Sequence, residues 1–241
     1  MRTIINLMDH WRFTGPDGKT VPVQLPHTWN AQDGQDGGND YWRGSCTYRT
    51  SFSCPDFDPA SQQVWLQFDG VNASAEVLLN GKPVCKHDGG YSTFRAQVTD
   101  LLAEENVLTV LVDNSINDRV YPQKADFTFY GGIYRDVSLL IVSKDHIALD
   151  HFGGPGVRVT PVVRELQAKV KVDTLVEGSG EVAVSLLDAS GRLVAQGSGA
   201  NASLELEHPH LWDGVRDPYL YTCVVQLQKN GQTVDEVKIP V

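Results

Sequence analysis

The chain has 241 residues, enough for one large domain or two of ordinary size, with a substantial core in either case. Its formal net charge of -10, from 30 acids against 20 bases, excludes nucleic acid as a partner, because a phosphate backbone is held by clustered Lys and Arg. No stretch approaches the roughly 20 apolar residues of a membrane-crossing helix, and the opening MRTIINLMDHWRF lacks the apolar run and cleavage site of a secretion signal. A soluble, cytoplasmic protein with no membrane partner is expected.

Alternation with period two dominates the chain, and helical periodicity is nearly absent. In GSCTYRTSF, Cys46, Tyr48, Thr50 and Phe52 share a face. VWLQF aligns Val64, Leu66 and Phe68, and ASAEVLLNGKPV aligns Ala73, Ala75, Val77 and Leu79 before a hairpin turn at Asn80-Gly81. NVLTVLVDN is apolar at nearly every position, which predicts a strand buried on both faces. In GIYRDVSLLIV, alternation puts Arg135 beside Ile133, Val137 and Leu139. A carboxylate partner or an interdomain surface is therefore expected for it, in a structural role.

After Val142 and the polar joint SKDH, the strands become cleaner alternations with one wet face. LQAKVKVD sets Leu166, Ala168, Val170 and Val172 against Gln167, Lys169, Lys171 and Asp173. EVAVSLLD, ASLELEH and YLYTCVVQL repeat the pattern, and a second Asn-Gly turn falls at Asn230-Gly231. This regular spacing predicts a seven-stranded immunoglobulin-like β-sandwich over residues 144–241. The longer first half, with loops at 26–43 and 113–132, predicts a jelly-roll β-sandwich over residues 1–143. The fold class is all-β.

Long loops in a compact β domain cost ordering entropy without building core, so they point to function. The first mixes Asp33, Asp36, Asn39 and Asp40 with Trp29, Tyr41 and Trp42. Its D-G-x-D-G-G spacing loosely resembles a calcium loop but lacks the ligand pattern of an EF-hand, so a solvated glycine loop or a recognition loop is favoured over dedicated calcium binding. The second contains DFTFYGGIYRDVSL, where Asp126 precedes Phe127, Phe129 and Tyr130. A carboxylate beside aromatic planes suits a sugar, whose hydroxyls donate to the acid and whose C–H face packs on a ring. The same residues would also suit an Asp that caps a turn over an aromatic cluster. Gly131-Gly132 predicts a tight corner where the loop re-enters the sheet.

Other candidates are weaker. The cysteines Cys46, Cys54, Cys85 and Cys223 lack metal-ligand spacing and suit free thiols. His27 is expected to pack a loop, and His208 and His210 lack a third ligand at a convincing spacing. No GxSxG, P-loop or dinucleotide fingerprint occurs.

In order, WRF, LPHTWN, YWRGSCTYR, FDGVNASAEVLLNGKPV, HDGGYSTF, NVLTVLVDN, DFTFYGGIYRDVSL and HPHLWDGVRDPYLYT resemble the N-terminal part of glycoside hydrolase family 2. That family includes β-galactosidases, β-glucuronidases and β-mannosidases. The resemblance covers essentially the whole chain. It implies a galactose-binding-like jelly roll, an immunoglobulin-like domain and, in a longer parent, a (β/α)₈ barrel that carries two catalytic glutamates. The family's Asn-Glu pair does not occur in these residues, so no catalytic residue is expected here. The resemblance makes Asp126 a substrate-binding residue and, less directly, extends that role to Asn39 and Asp40. It further implies a carbohydrate substrate, a parent that is a homo-oligomer and most simply a β-galactosidase, and no cofactor in these domains. A sodium or magnesium ion would belong to the parent, with ligands from the barrel. The rival reading is a free-standing carbohydrate-binding module with an immunoglobulin-like spacer.

Overall fold

A computed structural model describes residues 1–31, 41–122 and 127–241. The chain separates into two compact units, Ile4–Ile141 and Val142–Val241, and Met1–Thr3 belongs with the second. Apart from a 3₁₀ turn at Thr99–Leu101, every regular element among the described residues is a strand. None of them includes a helix long and apolar enough to cross a membrane.

The first unit is a sandwich of two antiparallel-rich layers, as expected for a jelly roll. One sheet has the order Thr20–Val23, Trp11–Thr14, Ser45–Ser53, Glu105–Asp113, Ser74–Leu79, Lys82–Asp88. The other has the order Thr3–Asn6, Val137–Ser143, Gln62–Phe68, Phe94–Gln97. The inward residues follow the alternation: Cys46, Tyr48 and Thr50; Val64, Leu66 and Phe68; Ala75, Val77 and Leu79. Burying such side chains contributes about 1.5–3 kcal/mol for each large one, and that fixes the register, since a one-residue slip would turn the whole set outward.

Two expectations are corrected here. Glu105–Asp113 is buried on one face only, through Asn106, Leu108, Val110 and Val112, while Thr109 and Leu111 face outward. The six-stranded sheet packs on its partner with one side and leaves the other wet. Arg135 is exposed, because it lies in the break between Gly132–Ile133 and Val137–Ser143, outside either strand, where strand alternation does not apply. Its guanidinium donates to the carbonyls of Asp69 and Tyr91 at 3.4 and 3.3 Å and lies over the Tyr134 ring. Carbonyls and a ring face take the place of the expected carboxylate.

The second unit is a seven-stranded sandwich. Val157–Arg164, Gln167–Thr174 and Asn201–Glu207 form one sheet; Leu193–Ser198, Glu181–Leu187, Thr222–Lys229 and Gln232–Pro240 form the other. Ala168, Val170 and Val172 point inward as read, whereas Leu166 sits exposed at the turn with Glu165 in a left-handed conformation. A buried ion pair fastens the unit. Asp235 is fully buried and accepts from Arg2 Nη2 at 2.8 Å, from Arg2 Nε at 3.1 Å and from the Ile147 amide at 2.8 Å.

Candidate functional site

Both long loops of the first unit spring from one polar knot. Asn30 stands at the start of the first loop, and Trp42 and Gly44 stand at its end. Asn114 follows the strand Glu105–Asp113 directly, and Phe129–Gly131 lead back from the second loop. The Asn114 amide oxygen accepts from the Gly44 N–H at 2.9 Å, and its Nδ2 donates to Phe129 O at 3.0 Å and to Asn30 Oδ1 at 3.2 Å. Asn30 Oδ1 also accepts from the Gly131 N–H at 2.7 Å, and its Nδ2 donates to Trp42 O at 2.9 Å. Asn72 Nδ2, from the short strand Val71–Asn72, donates to Tyr130 O at 2.6 Å. All three asparagines are buried. A buried amide is tolerated only when its groups are paired, and a network of such amides makes its geometry stiff.

The double glycine is required by close approach. A Cβ on Gly131 would lie 2.0 Å from Trp29 Cζ2, and one on Gly132 would lie 2.4 Å from the His27 carbonyl oxygen, at a φ of +139°. The backbone therefore runs directly over Trp29. Thr28 Oγ1 donates to Gly131 O at 2.8 Å, and the His27 N–H donates to Ile133 O at 2.8 Å. Below this corner His27 Nδ1 meets Tyr48 OH at 2.7 Å. Burial pushes the His27 pKa down and the Tyr48 pKa up, which favours a neutral imidazole beside a protonated phenol. His27 is the packing residue expected from its position.

Aromatic side chains divide into anchored and outward-facing sets. Phe129 is buried at 7% exposure, and the Arg43 guanidinium lies 4.7 Å from its ring centroid and 5.2 Å from that of Tyr41. Tyr41 OH accepts from the Phe129 N–H at 3.3 Å. Phe127 packs on Phe129 at 5.0 Å but remains 52% exposed, and Tyr130 is 43% exposed. Free ring faces on a stiff backbone are what stacking against a sugar's C–H face requires.

The three substrate-binding candidates, Asp126, Asn39 and Asp40, lie outside the described residues. Their flanks both meet Phe129: Phe127 packs on its ring, and Tyr41 OH accepts from its N–H. Among the described residues no group of three or more His, Cys, Asp and Glu could hold a metal. His210 instead pairs with Asp217 at 2.5 Å and stacks on Tyr219. All four cysteines are free, and burial raises the Cys46 thiol to about 12. Sequence reasoning missed Asn30, Asn72, Asn114 and Arg43. The one signal that could have found two of them is an Asn at the end of an apolar strand or aromatic segment, directly before a long loop.

Residues 34–146 match the family described as glycosyl hydrolase 2 galactose-binding domain-like, and residues 156–241 match glycosyl hydrolases family 2. A β-glucuronidase of Bacteroides fragilis is 35% identical over 99% of the chain, and the β-galactosidase BoGH2A of Bacteroides ovatus is 31% identical over 96%. The crystal structure of an FMN-binding β-glucuronidase from Faecalibacterium prausnitzii superposes on the whole chain with a TM-score of 0.94 at 37% identity. The matched region spans only 37%, 30% and 39% of those three proteins, respectively.

Proposed function

We propose, on the premise that the chain belongs to glycoside hydrolase family 2, that it forms one wall of the substrate pocket in a longer retaining β-glycosidase. The chain corresponds to the N-terminal part of such enzymes, with the galactose-binding-like and immunoglobulin-like domains in that order. The observation that carries the proposal is the asparagine knot, which holds the stems of both long loops together and leaves Phe127 and Tyr130 facing outward. Retaining hydrolysis needs two carboxyl groups about 5 Å apart across the glycosidic bond. Those belong to the parent's barrel. This chain's part is to hold the terminal sugar by its hydroxyls and one face while the barrel does the bond chemistry.

β-D-glucuronides are the first substrates to test, because the relatives at 35% and 37% identity are both named β-glucuronidases. β-Galactosides, which the motifs suggest, come second, supported by BoGH2A. In either case Asp126 is assigned to the sugar's hydroxyls. A carboxylate accepting from a hydroxyl contributes about 1.5–3 kcal/mol, and each 1.36 kcal/mol is about a tenfold change in rate. Asp126→Ala in the full-length parent is therefore expected to lower kcat/KM by about ten- to a hundredfold, with part of the loss in kcat. Steady-state kinetics with thermal melting as the control decides it. An undiminished kcat/KM in a normally folded variant would return the DFTFYGG segment to a structural corner. Micromolar binding of free glucuronate or galactose by this chain alone, read by calorimetry, would favour the free-standing binding module instead.

A further inference from the structure

On the wet face of the six-stranded sheet, Arg12 and Arg49 stand directly opposite each other on neighbouring antiparallel strands. That register places their Cβ atoms about 5 Å apart, where like charges destabilise a sheet. Both are exposed, and neither has a hydrogen bond or ion pair among the described residues. The acids on the same face are engaged elsewhere: Glu76 with Lys86, Asp113 with Ser45 and Glu105 with Ser53. Two uncompensated positive charges at the centre of a sheet, in a chain of net charge -10, do nothing for the fold.

Their surroundings are hydroxyls. The row carrying the arginines continues to Thr109, and the next row runs through Thr20, Thr14 and Thr47. Thr14 and Thr20 share a hydrogen bond of 2.8 Å. With His10 these residues line a shallow groove of about 650 Å³. Guanidinium forks match a carboxylate bidentately, and threonine hydroxyls both donate and accept, as ring hydroxyls do.

We infer that this face binds a carboxylate-bearing saccharide, with Arg12 and Arg49 on the carboxylate and the threonine rows on the ring hydroxyls. A bare anion would leave the threonines unused. An acidic peptide would need backbone donors and acceptors, which the sheet spends on its own ladder. The inference is independent of how the pocket loops are read.

The test is titration of the 241-residue chain, observed residue by residue by NMR, with a hyaluronan tetrasaccharide, which alternates glucuronate with a neutral sugar. Chitotetraose serves as the neutral comparator and sodium sulfate as the plain anion. Binding of the hyaluronan fragment is expected, with amide shifts at Thr14, Thr47 and Thr109 and none from chitotetraose. The doubly substituted R12Q/R49Q chain should bind at least about tenfold more weakly while melting no lower than wild type. R12K/R49K, which keeps the charge and loses the fork, should fall between. Three results would overturn the inference: no binding at millimolar concentration, equal affinity for sulfate, or a concentration-dependent dimer abolished by R12Q/R49Q. The last would give the face to a second copy of the chain.

Discussion

The two units are both β-sandwiches, yet their interiors are built differently. The first buries Trp11, Phe13, Tyr48, Phe68, Phe94 and Phe129 together with Asn30, Asn72, Asn106 and Asn114. The second buries no Phe, Tyr or Trp among the described residues; its core is Val, Leu, Ile and Ala around Cys223, with His146, Thr174 and the carboxylate of Asp235 as its buried polar groups. Aliphatic side chains fill a sandwich at little risk, because they carry no group that needs a partner. Buried amides are tolerated only if every bond is made. The difference teaches where each unit's specificity is spent. The second uses its polar burial to hold the N-terminal residues, and the first uses it to hold loop stems in fixed positions.

The strongest way to break this comparison is at the buried charge. Arg2→Ala leaves Asp235, fully buried, with only backbone N–H partners, and removing one member of a buried pair costs about 3–5 kcal/mol. Hydrogen exchange resolved by segment should show the loss in Val142–Val241 and leave the jelly-roll core protected. Equal loss in both units would refute the assignment of Met1–Thr3 to the second.

Asn30→Ala is the matching change in the first unit. It removes the acceptor of the Gly131 N–H and of one Asn114 amide hydrogen and a donor to the Trp42 carbonyl, at an expected cost of about 2–4 kcal/mol. Urea denaturation gives the total. Slowed exchange at Gly131 in the variant would contradict the knot.

The two Asn-Gly hairpins sharpen the comparison by removing the interior from it. Gly81 and Gly231 have φ of +77° and +75°, with open space where a Cβ would go. Alanine at either should cost about 1 kcal/mol through left-handed strain alone. Unequal costs would mean that turn chemistry, and not only the core, distinguishes the units.

The smallest effect is set by pH. Burial lowers the His27 pKa, so below about 6.5 the unfolded chain takes up a proton that the folded chain refuses. Stability from this site is complete above that pH and declines as pH falls through it. Melting of the first unit should therefore drop on mild acidification, and His27→Gln should flatten the decline. A wild-type melting temperature that rises toward acid would refute the half-buried, neutral imidazole.

Strand faces were legible because a period of two is local: Val64, Leu66 and Phe68 point inward whatever their neighbours do. The strand expected to be doubly buried was misread because apolar content at Val107 and Leu111 does not say whether a second layer exists to cover them. Arg135 was misread because a break in pairing is invisible to an alternation rule. The knot was illegible for a deeper reason. Its hydrogen bonds join residues 84 and 101 positions apart, so nothing in a window of sequence couples them. Glycines 131 and 132 were found as a corner, but the cause, the Trp29 ring and His27 carbonyl beneath them, lies just as far away along the chain.

The pairing of Arg2 with Asp235 also sets an order of events on the ribosome. The two residues are 233 positions apart. At about 5–20 residues per second, roughly 10–50 s separate their synthesis. Through that interval the jelly roll can complete itself from residues already made, while the last strand of the second sandwich does not yet exist. The segment around Arg2, made early, is thus among the last pieces to lock, and it locks only once translation has reached the strand Gln232–Pro240. A message broken before that point would leave Arg2 without this counter-ion.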